Sequence, residues 1–340
     1  MSTPQSNSAA FVAFILGVVV SGALGDARPI TGLVGQSALS PQQRDQIRTY
    51  AEFYCNQLAT GDIPAAEQAK RQLLDPMRAP RVTGEFRLAY SRVLTPRLGG
   101  VIDGDHPHAA VNALQLLGFL GTPAAMDVLK DHIDSKDEDR FEVRLWAAKA
   151  FRMAAEAGRL EADDLNPLLR QFGAACRSET DPSVLRRQFE AIASVDSAIA
   201  REVLLSAVGK KLDELHGQVE PSRLMEAIYP ALVHLRDQYL RLDRNEQATF
   251  GATIAPQLCK VFGVGSTHWD KAHREEVGRS YRGAIHLAEN FLKTIDRTVR
   301  AAEPPQTQLG AAWENGDKPR FEAEHRDWRD ILTSPPYNEP

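Results

Sequence analysis

Apolar residues recur at helical spacing in the first part of the chain. Between Ser40 and Gly61 they lie three and four positions apart, which places them on one face of a helix. Ser40 followed by Pro41 is a favourable N-cap with proline in the first turn, and Gly61 is a typical stop signal. We therefore predict a helix starting at Pro41, followed by helices over residues 64–74 and 85–98. The apolar positions of the first helix are Ile47, Tyr50, Ala51, Tyr54 and Leu58.

From Pro107 the pattern changes to pairs of helices that are separated by short turns. Asp181 and Pro182 open the third pair with a cap and a first-turn proline. Val143 and Val184 occupy similar places in successive pairs, and their separation of about 40 residues is the period of helical-hairpin repeats. The pattern predicts an all-α fold. The three pairs cover residues 109–120 with 123–133, 141–157 with 165–176, and 182–193 with 198–215.

Residues 107–215 resemble HEAT-like repeats of the armadillo type, and the match covers roughly a third of the chain. Leucines fill the seam between helices, alanines allow close approach, and glycines permit the turn at a helix end. The resemblance implies an α-solenoid of helical hairpins, a fold rather than an activity. The residues that carry it are Leu117, Gly118, Leu120, Gly121, Pro123, Ala125, Leu129, Val143, Arg144, Ala147, Ala148 and Ala150.

Further amphipathic helices are predicted after the repeats. Apolar residues mark helices over residues 224–239 and 250–262, and a stripe marks a long helix over 271–301. We expect the long helix to cap the end of the stack, with a dimerising helix as the alternative. The helical repeat domain is thus predicted over residues 40–302, preceded by a linker over 26–39.

The chain becomes polar and rich in proline from Glu303, which predicts a largely disordered tail over residues 303–340 with a short helix around 321–332. This tail contains more large apolar side chains than a solvated tail needs, among them Trp313, Phe321 and Trp328. Two interpretations remain open. They fold back onto the protein's own surface, or they bind a partner.

The N-terminal segment carries an apolar run, FVAFILGVVV, over residues 11–20, and residues 1–25 contain no charged side chain. Small residues follow, so a signal peptide cleaved before Asp26 is predicted, and with it export to the periplasm or the extracellular space. No Lys or Arg precedes the run, which departs from the usual pattern and leaves an uncleaved membrane anchor as an alternative. A third alternative is an intracellular protein in which the run packs as a helix.

Charge and cysteine content exclude several kinds of partner and site. The 40 Lys and Arg residues are balanced by 45 Asp and Glu residues, a net charge of -5, so nucleic acid is not expected as a partner. Contact with a membrane is expected only through an uncleaved N-terminal segment. Cys55, Cys176 and Cys259 are too few and too far apart for a disulfide framework or a zinc site, and they are interpreted as core residues. A single disulfide among them is left unassigned.

Two clusters contain side chains that are capable of metal binding or acid–base chemistry. The first consists of Asp103, Asp105, His106 and His108, which lie before the first repeat. The alternative is that Asp105 caps the helix that starts at Pro107, while the histidines face solvent.

The second cluster consists of His268, Asp270, His273 and Glu276. Five helical residues correspond to a rotation of about 500°, so His268 and His273 are not expected to share a face. Ordinary capping and surface charge account for this cluster.

No catalytic signature accompanies these clusters. The sequence has no glycine-rich phosphate loop, no nucleophile elbow and no Cys-x-x-Cys pair, and no cofactor is expected. Arg186, Arg187, Lys210 and Lys211 are interpreted as a solvated helix face. The sequence therefore predicts a non-enzymatic protein-binding or scaffold protein whose concave helical surface binds a protein or peptide. The alternative is an enzyme with a metal or small-ligand site built on the repeats.

Overall fold

The computed structural model describes residues 27–273 and 276–337. These residues form fourteen α-helices and one short 3₁₀-helix, Thr31–Leu33, and no strand occurs among them. The prediction of an all-α fold is therefore confirmed. The helices are α1 (Pro41–Leu58), α2 (Ile63–Arg78), α3 (Gly84–Ile102), α4 (Pro107–Leu120), α5 (Pro123–Lys130), α6 (Phe141–Glu156), α7 (Ala162–Ser178), α8 (Pro182–Ala193), α9 (Ala198–His216), α10 (Met225–Tyr239), α11 (Arg244–Ala272), α12 (Gly278–Val299), α13 (Leu309–Glu314) and α14 (Lys318–Leu332).

Helix starts follow the capping signals in the sequence. The Ser40 side chain accepts a hydrogen bond from the Gln43 backbone N–H, and the Gln43 side chain accepts one from the Ser40 N–H, so α1 begins with a complete capping box. At α8 the Asp181 carboxylate accepts from the N–H groups of Ser183 and Val184. These side chains satisfy donors that the helix itself leaves unpaired, which fixes where each helix begins.

From α1 to α12, each helix contacts the helix two places further along the chain. The even-numbered helices α2 to α12 pack side by side, and so do the odd-numbered helices α1 to α11. We call these sets the even layer and the odd layer. Leucine, alanine and aromatic side chains fill the space between them and form one continuous core.

Glycine allows close approach within the even layer. A Cβ atom at Gly118 on α4 would lie 2.8 Å from the backbone oxygen of Ala150 on α6 and 2.9 Å from its Cα. Atoms of the backbone cannot move aside as a flexible side chain can. The contact between α4 and α6 therefore depends on the absence of a side chain at Gly118.

A buried ion pair joins the start of α6 to the turn between α7 and α8. The Arg144 guanidinium donates to the Glu179 carboxylate at 2.8 and 3.2 Å, and Glu179 is fully buried. The same carboxylate accepts from the backbone N–H groups of Thr180 and Asp181. Both oxygens of the Glu179 carboxylate thus accept hydrogen bonds within the protein, which is what a buried charge requires.

A second buried carboxylate, Glu138, lies just before α6. It accepts two side-chain hydrogen bonds from Arg140, at 2.8 and 2.7 Å, and contacts the His132 imidazole at 3.1 Å. Arg140 also donates to the carbonyl oxygens of Ile102 and Gly104 at the end of α3. Burial alone raises the pKa of Glu138, but the hydrogen bonds from Arg140 and His132 outweigh burial and lower the pKa to about 2.

The C-terminal segment differs from its prediction. Residues 303–337 are not a disordered tail, because α13 and α14 form there and pack on α12 and α11. The short helix expected around residues 321–332 corresponds to α14. The prediction followed the overall composition of the segment, which is dominated by proline and charged residues. Apolar side chains spaced along the segment are nevertheless buried, and their burial stabilises the two helices. These side chains are Leu309, Ala312, Trp313, Phe321, Trp328, Leu332 and Tyr337.

Two buried carboxylates of α12 bind this segment. Glu289 accepts from the backbone N–H of Gly310 and from the Thr307 hydroxyl, each at 2.9 Å. Asp296 accepts from the Tyr337 hydroxyl at 2.9 Å and is paired with Arg300. Each carboxylate would lose a buried donor if the segment left, so polar contacts as well as apolar burial hold it in place.

Some boundaries also differ from the prediction. Helix α11 runs through Pro256, and the long helix predicted over 271–301 is divided between the end of α11 and α12. Proline removes one backbone donor, but buried neighbours such as Ile254 and Leu258 keep the helix continuous.

The described part of the predicted linker is packed, because Ile30 is fully buried and Thr83 donates its N–H to the carbonyl of Val34.

The three cysteines lie where the sequence predicted. Cys55, Cys176 and Cys259 are buried, and no disulfide links them. Burial raises the pKa of the Cys55 thiol to about 12, so this group stays protonated at neutral pH.

The prediction of an exported or membrane-anchored protein needs correction. Within residues 27–273 and 276–337, none of the helices combines the length and the hydrophobicity that a bilayer span requires. The apolar run and the cleavage site on which the prediction was based lie outside the described residues. The prediction of export or anchoring is not upheld.

Substituting Gly118 tests the close contact between α4 and α6. We expect Gly118→Ala to lower the free energy of unfolding by about 1–3 kcal/mol, because the new methyl group overlaps the Ala150 backbone. The matched control is Gly100→Ala on α3, where a Cβ meets nothing within 4 Å. The control should be neutral or up to about 1 kcal/mol more stable. Urea unfolding of both variants measures the difference, and equal effects would contradict the contact.

The lowered pKa of Glu138 predicts a pH dependence of stability. A carboxylate whose pKa is lower in the folded than in the unfolded protein stabilises the fold above its unfolded pKa of about 4.3. This stabilisation is lost as the pH falls from about 4.3 toward 2. Glu138→Gln should therefore show a weaker dependence on pH in this window than the parent protein. Urea unfolding at several pH values tests this, with Glu322→Gln on the exposed face of α14 as control.

Candidate functional site

The first predicted cluster does not form a site. The Asp103 side chain is exposed, and its closest approach to an imidazole is 3.8 Å, from its Oδ1 to Nε2 of His132. Asp105 is exposed, and it does not cap α4 as the sequence suggested. Because the helix begins at Pro107, the N-cap position belongs to His106, which makes no side-chain cap hydrogen bond. Asp105 lies one residue too early for that position.

His108 points to a different group of residues. Its Nε2 atom lies 3.0 Å from the Glu67 carboxylate and 3.1 Å from Nδ2 of Asn112. Lys70 also contacts Glu67 and Asn112, so the group joins α2 to α4 as a hydrogen-bonded network. Among the described residues, no three His, Cys, Asp or Glu side chains are placed to bind one metal ion.

The second predicted cluster is also divided. His268 is buried, with Nδ1 at 2.7 Å from the Tyr281 hydroxyl and Nε2 at 2.9 Å from the carbonyl oxygen of Gln218. Asp270 and Glu276 have exposed side chains. The His268 imidazole therefore connects helices of the core.

His273 belongs to the contact between α11 and the C-terminal segment. Its two ring nitrogens each lie 2.8 Å from a carbonyl oxygen, those of Trp269 and Trp313. The His273 ring also packs on the Trp313 ring, with 4.0 Å between centroids. These contacts of His273 hold α13 against α11. They give the imidazole a structural role that does not involve a ligand.

The aromatic side chains of the C-terminal segment are core residues. Trp313, Phe321 and Trp328 are 3%, 0% and 0% exposed. The Trp313 and Phe321 rings pack against Trp269 of α11, with centroid distances of 4.8 and 5.0 Å, and Trp328 donates its indole N–H to the Thr307 hydroxyl. Of the two interpretations left open, folding back onto the protein agrees with these contacts. The three side chains offer no free surface to a partner.

A wide apolar opening lies between α9 and α11 of the odd layer. Successive residues of α9 meet successive residues of α11, so the two helices run parallel. Gly209 lies beside Gln257, Asp213 pairs with Lys260 at 2.7 Å, and the His216 ring contacts the Thr267 hydroxyl. A Cβ atom at Gly209 would lie 2.3 Å from the Gln257 amide oxygen. The helices are thus in close contact at and beyond Gly209, and they leave space between their N-terminal halves.

This space, the α9–α11 groove, has a volume of about 600 Å³ and is lined mainly by apolar atoms. Leu205 forms part of its floor, and Phe250 is half-buried beside it. Its threonine and charged side chains stand at the rim. The lining residues are Ala198, Arg201, Glu202, Leu205, Leu242, Asn245, Glu246, Thr249, Phe250 and Thr253.

Local hydrogen bonds fix the rim of the α9–α11 groove. Asp243 and Glu246 form a capping box, in which Asp243 accepts from the Glu246 N–H at 2.9 Å and donates its own N–H to the Glu246 carboxylate. Arg201 pairs with Asp196 at 3.2 Å across the start of α9. Glu202 is exposed at the rim. The groove is therefore preformed, with an apolar floor and polar groups of both signs at its edge.

The groove could not be predicted from the sequence. The apolar pattern predicted the helices that carry Leu205 and Phe250, but the two residues are about 45 positions apart and meet only because α9 packs on α11. Apolar periodicity shows which side of a helix is buried, not which part of that side lacks a neighbour. One signal in the sequence pointed to the rim of the groove. Thr249 and Thr253 are four positions apart on one helix, and the apolar Phe250 lies beside them.

Comparison of the chain with protein-family models, with curated proteins and with solved structures finds no significant match.

The burial of Trp328 leads to a direct test of the C-terminal segment. We expect Trp328→Ala to lower the free energy of unfolding by about 3–5 kcal/mol, because it leaves a large cavity between α14 and the rest of the core. Arg326→Ala, exposed on the same helix, is the control and should change stability by less than about 0.5 kcal/mol. Urea unfolding distinguishes them. A loss below about 1 kcal/mol for Trp328→Ala would contradict the packed arrangement.

Proposed function

We propose that this chain is a non-enzymatic protein-binding or scaffold protein, which binds a peptide segment of its partner in the α9–α11 groove. The observation that carries the proposal is the groove itself, a preformed apolar channel of about 600 Å³ between two parallel helices. Apolar openings of this size with a polar rim are typical of sites that bind apolar anchors from a partner.

The arrangement of the helices supports this class of function. We further propose that α3 to α12 are stacked hairpins of the HEAT type, as residues 107–215 suggest by resemblance. The alternation of even and odd helices, each in contact with the helix two places along, supports this assignment. In such a stack, side chains on the outer faces are free of the core and can change with the partner.

The chemistry of the groove defines the kind of peptide. Leu205 and Phe250 offer apolar contact to side chains that enter from above, while Arg201 and Glu202 offer charged groups of opposite sign at one edge. An amphipathic helix with apolar residues three or four positions apart meets these requirements, because such residues project from one face into a groove between helices. The rim threonines, Thr249 and Thr253, lie on the opposite edge.

Selection of helical peptides from a displayed library tests the proposal. We expect the protein to enrich peptides with paired apolar residues at helical spacing, with dissociation constants in the micromolar range or tighter. Thr253→Trp places an indole at the rim and should weaken binding of the enriched peptides at least about tenfold, equivalent to about 1.4 kcal/mol. Ser183→Trp on α8 adds the same side chain at an exposed position of the even layer and serves as the control.

Two results would refute the proposed function. One is a failure to enrich any peptide above the background of an unrelated helical protein. The other is equal affinity of the enriched peptides for Thr253→Trp and for the parent protein, provided that circular dichroism shows both proteins to be folded.

A further inference from the structure

Three arginines gather around one carboxylate in the even layer. Glu190 on α8 accepts from Arg186 at 2.9 Å, from Arg187 at 2.5 Å and from Arg152 of the neighbouring helix α6 at 3.3 Å. The Glu190 side chain is only 8% exposed, whereas those of Arg186, Arg187 and Arg152 are 51%, 36% and 43% exposed. We call these four side chains the arginine cluster. Its buried carboxylate orients guanidinium groups that remain open to solvent.

The guanidinium groups keep free donors. Arg186 uses Nε on Glu190 and Arg187 uses one Nη1 bond, while a guanidinium carries five N–H groups in a planar fork. Burial by itself raises the pKa of Glu190, but the hydrogen bonds from Arg187 and Arg186 outweigh burial and keep the pKa below its usual value. Glu190 is thus ionised at neutral pH. One buried negative charge is shared by three positive groups.

Lys149 adds a fourth positive charge to this surface. Its ammonium lies over the Trp146 ring, 3.7 Å from the ring centroid, on the same helix as Arg152. Burial lowers the pKa of Lys149 and the positive charge of Arg187 lowers it further, while the Glu190 carboxylate acts in the opposite direction. Lys149 lies three positions before Arg152 on α6, so the two side chains share one side of the helix, where an anion would interact with both.

The remaining charges nearby do not balance the cluster. Glu156 accepts one hydrogen bond from Arg152 at 2.7 Å. On α10, Asp237 is paired with its own neighbour Arg236, and burial lowers the pKa of His234, which favours the neutral imidazole. The helices that surround the cluster thus leave positive charge in excess there, although the whole chain is acidic.

We infer that the arginine cluster, together with Lys149, is a binding site for a phosphate monoester. The fork of a guanidinium matches two phosphate oxygens, and a doubly charged anion satisfies more of the free N–H groups than a single carboxylate can. The site is small and lies on two helices of the even layer, so it suits one phosphate group and not an extended polyanion. It is separate from the α9–α11 groove, which lies in the odd layer, and it goes beyond the proposed function.

The same phosphate chemistry has two possible sources, a free phosphorylated metabolite or a phosphorylated side chain of a peptide. Isothermal titration separates them with three probes, namely inorganic phosphate, N-acetyl-phosphoserine amide and the same phosphoserine within a ten-residue peptide. A free metabolite predicts that flanking peptide adds no affinity to the phosphoserine amide. A phosphorylated partner predicts at least fivefold tighter binding of the peptide.

Under either source we expect phosphoserine amide to bind with a dissociation constant below about 1 mM at low salt. Arg186→Gln with Arg187→Gln should weaken binding at least tenfold. Lys149→Gln should weaken it at least threefold, and this variant leaves all the hydrogen bonds of Glu190 intact. Arg170→Gln, an exposed arginine of α7 in the odd layer, is the matched control and should bind as the parent does.

Three results would overturn the inference. Absence of binding to all three probes refutes the site, and so does equal binding by the parent and by Lys149→Gln. N-acetyl-glutamate amide serves as the carboxylate comparison, and affinity equal to that of phosphoserine amide would refute the preference for phosphate. None of these outcomes depends on peptide binding in the α9–α11 groove.

Discussion

The buried ion pair between Arg144 and Glu179 is the interaction on which the middle of the molecule depends. It joins the first turn of α6 to the end of α7, and its carboxylate also binds the backbone that leads into α8. Removing one partner would leave a charge in the core, which costs about 3–5 kcal/mol, whereas the intact pair is satisfied on both sides. Arg144 further donates to the carbonyl oxygens of Glu138 and Asp139. One side chain therefore ties α6 both to the residues that precede it and to the turn that leads into α8.

Stacking on this frame gives the molecule two chemically different surfaces. In the odd layer, close contact at Gly209 leaves an apolar groove between the N-terminal halves of α9 and α11. In the even layer, the arginine cluster gathers positive charge around Glu190. The two surfaces lie in different layers and share no residue, so the peptide and the phosphate group proposed above would occupy separate positions. A protein whose role is to bring partners together would use such a division.

Local signals in the sequence were enough for most of the helices up to α10 and for several helix starts. Ser40 and Asp181 cap helices where the pattern predicted, because capping is a matter of a few adjacent residues. The C-terminal segment was misjudged because its stability comes from contacts with distant residues, such as the hydrogen bond between Tyr337 and Asp296. The sites were missed for a similar reason. Arg186 and Arg187 were interpreted as a solvated face, and only the packing of α6 on α8 brings Arg152 to them.

The docking of the C-terminal segment has a consequence for the helices that it covers. Helices α13 and α14 pack on α12 and α11, and Trp313, Phe321 and Trp328 are buried there. Without this segment, α11 and α12 would present an apolar face to water, and an exposed face of that kind favours aggregation. The segment therefore shields the molecule from association through its own core helices.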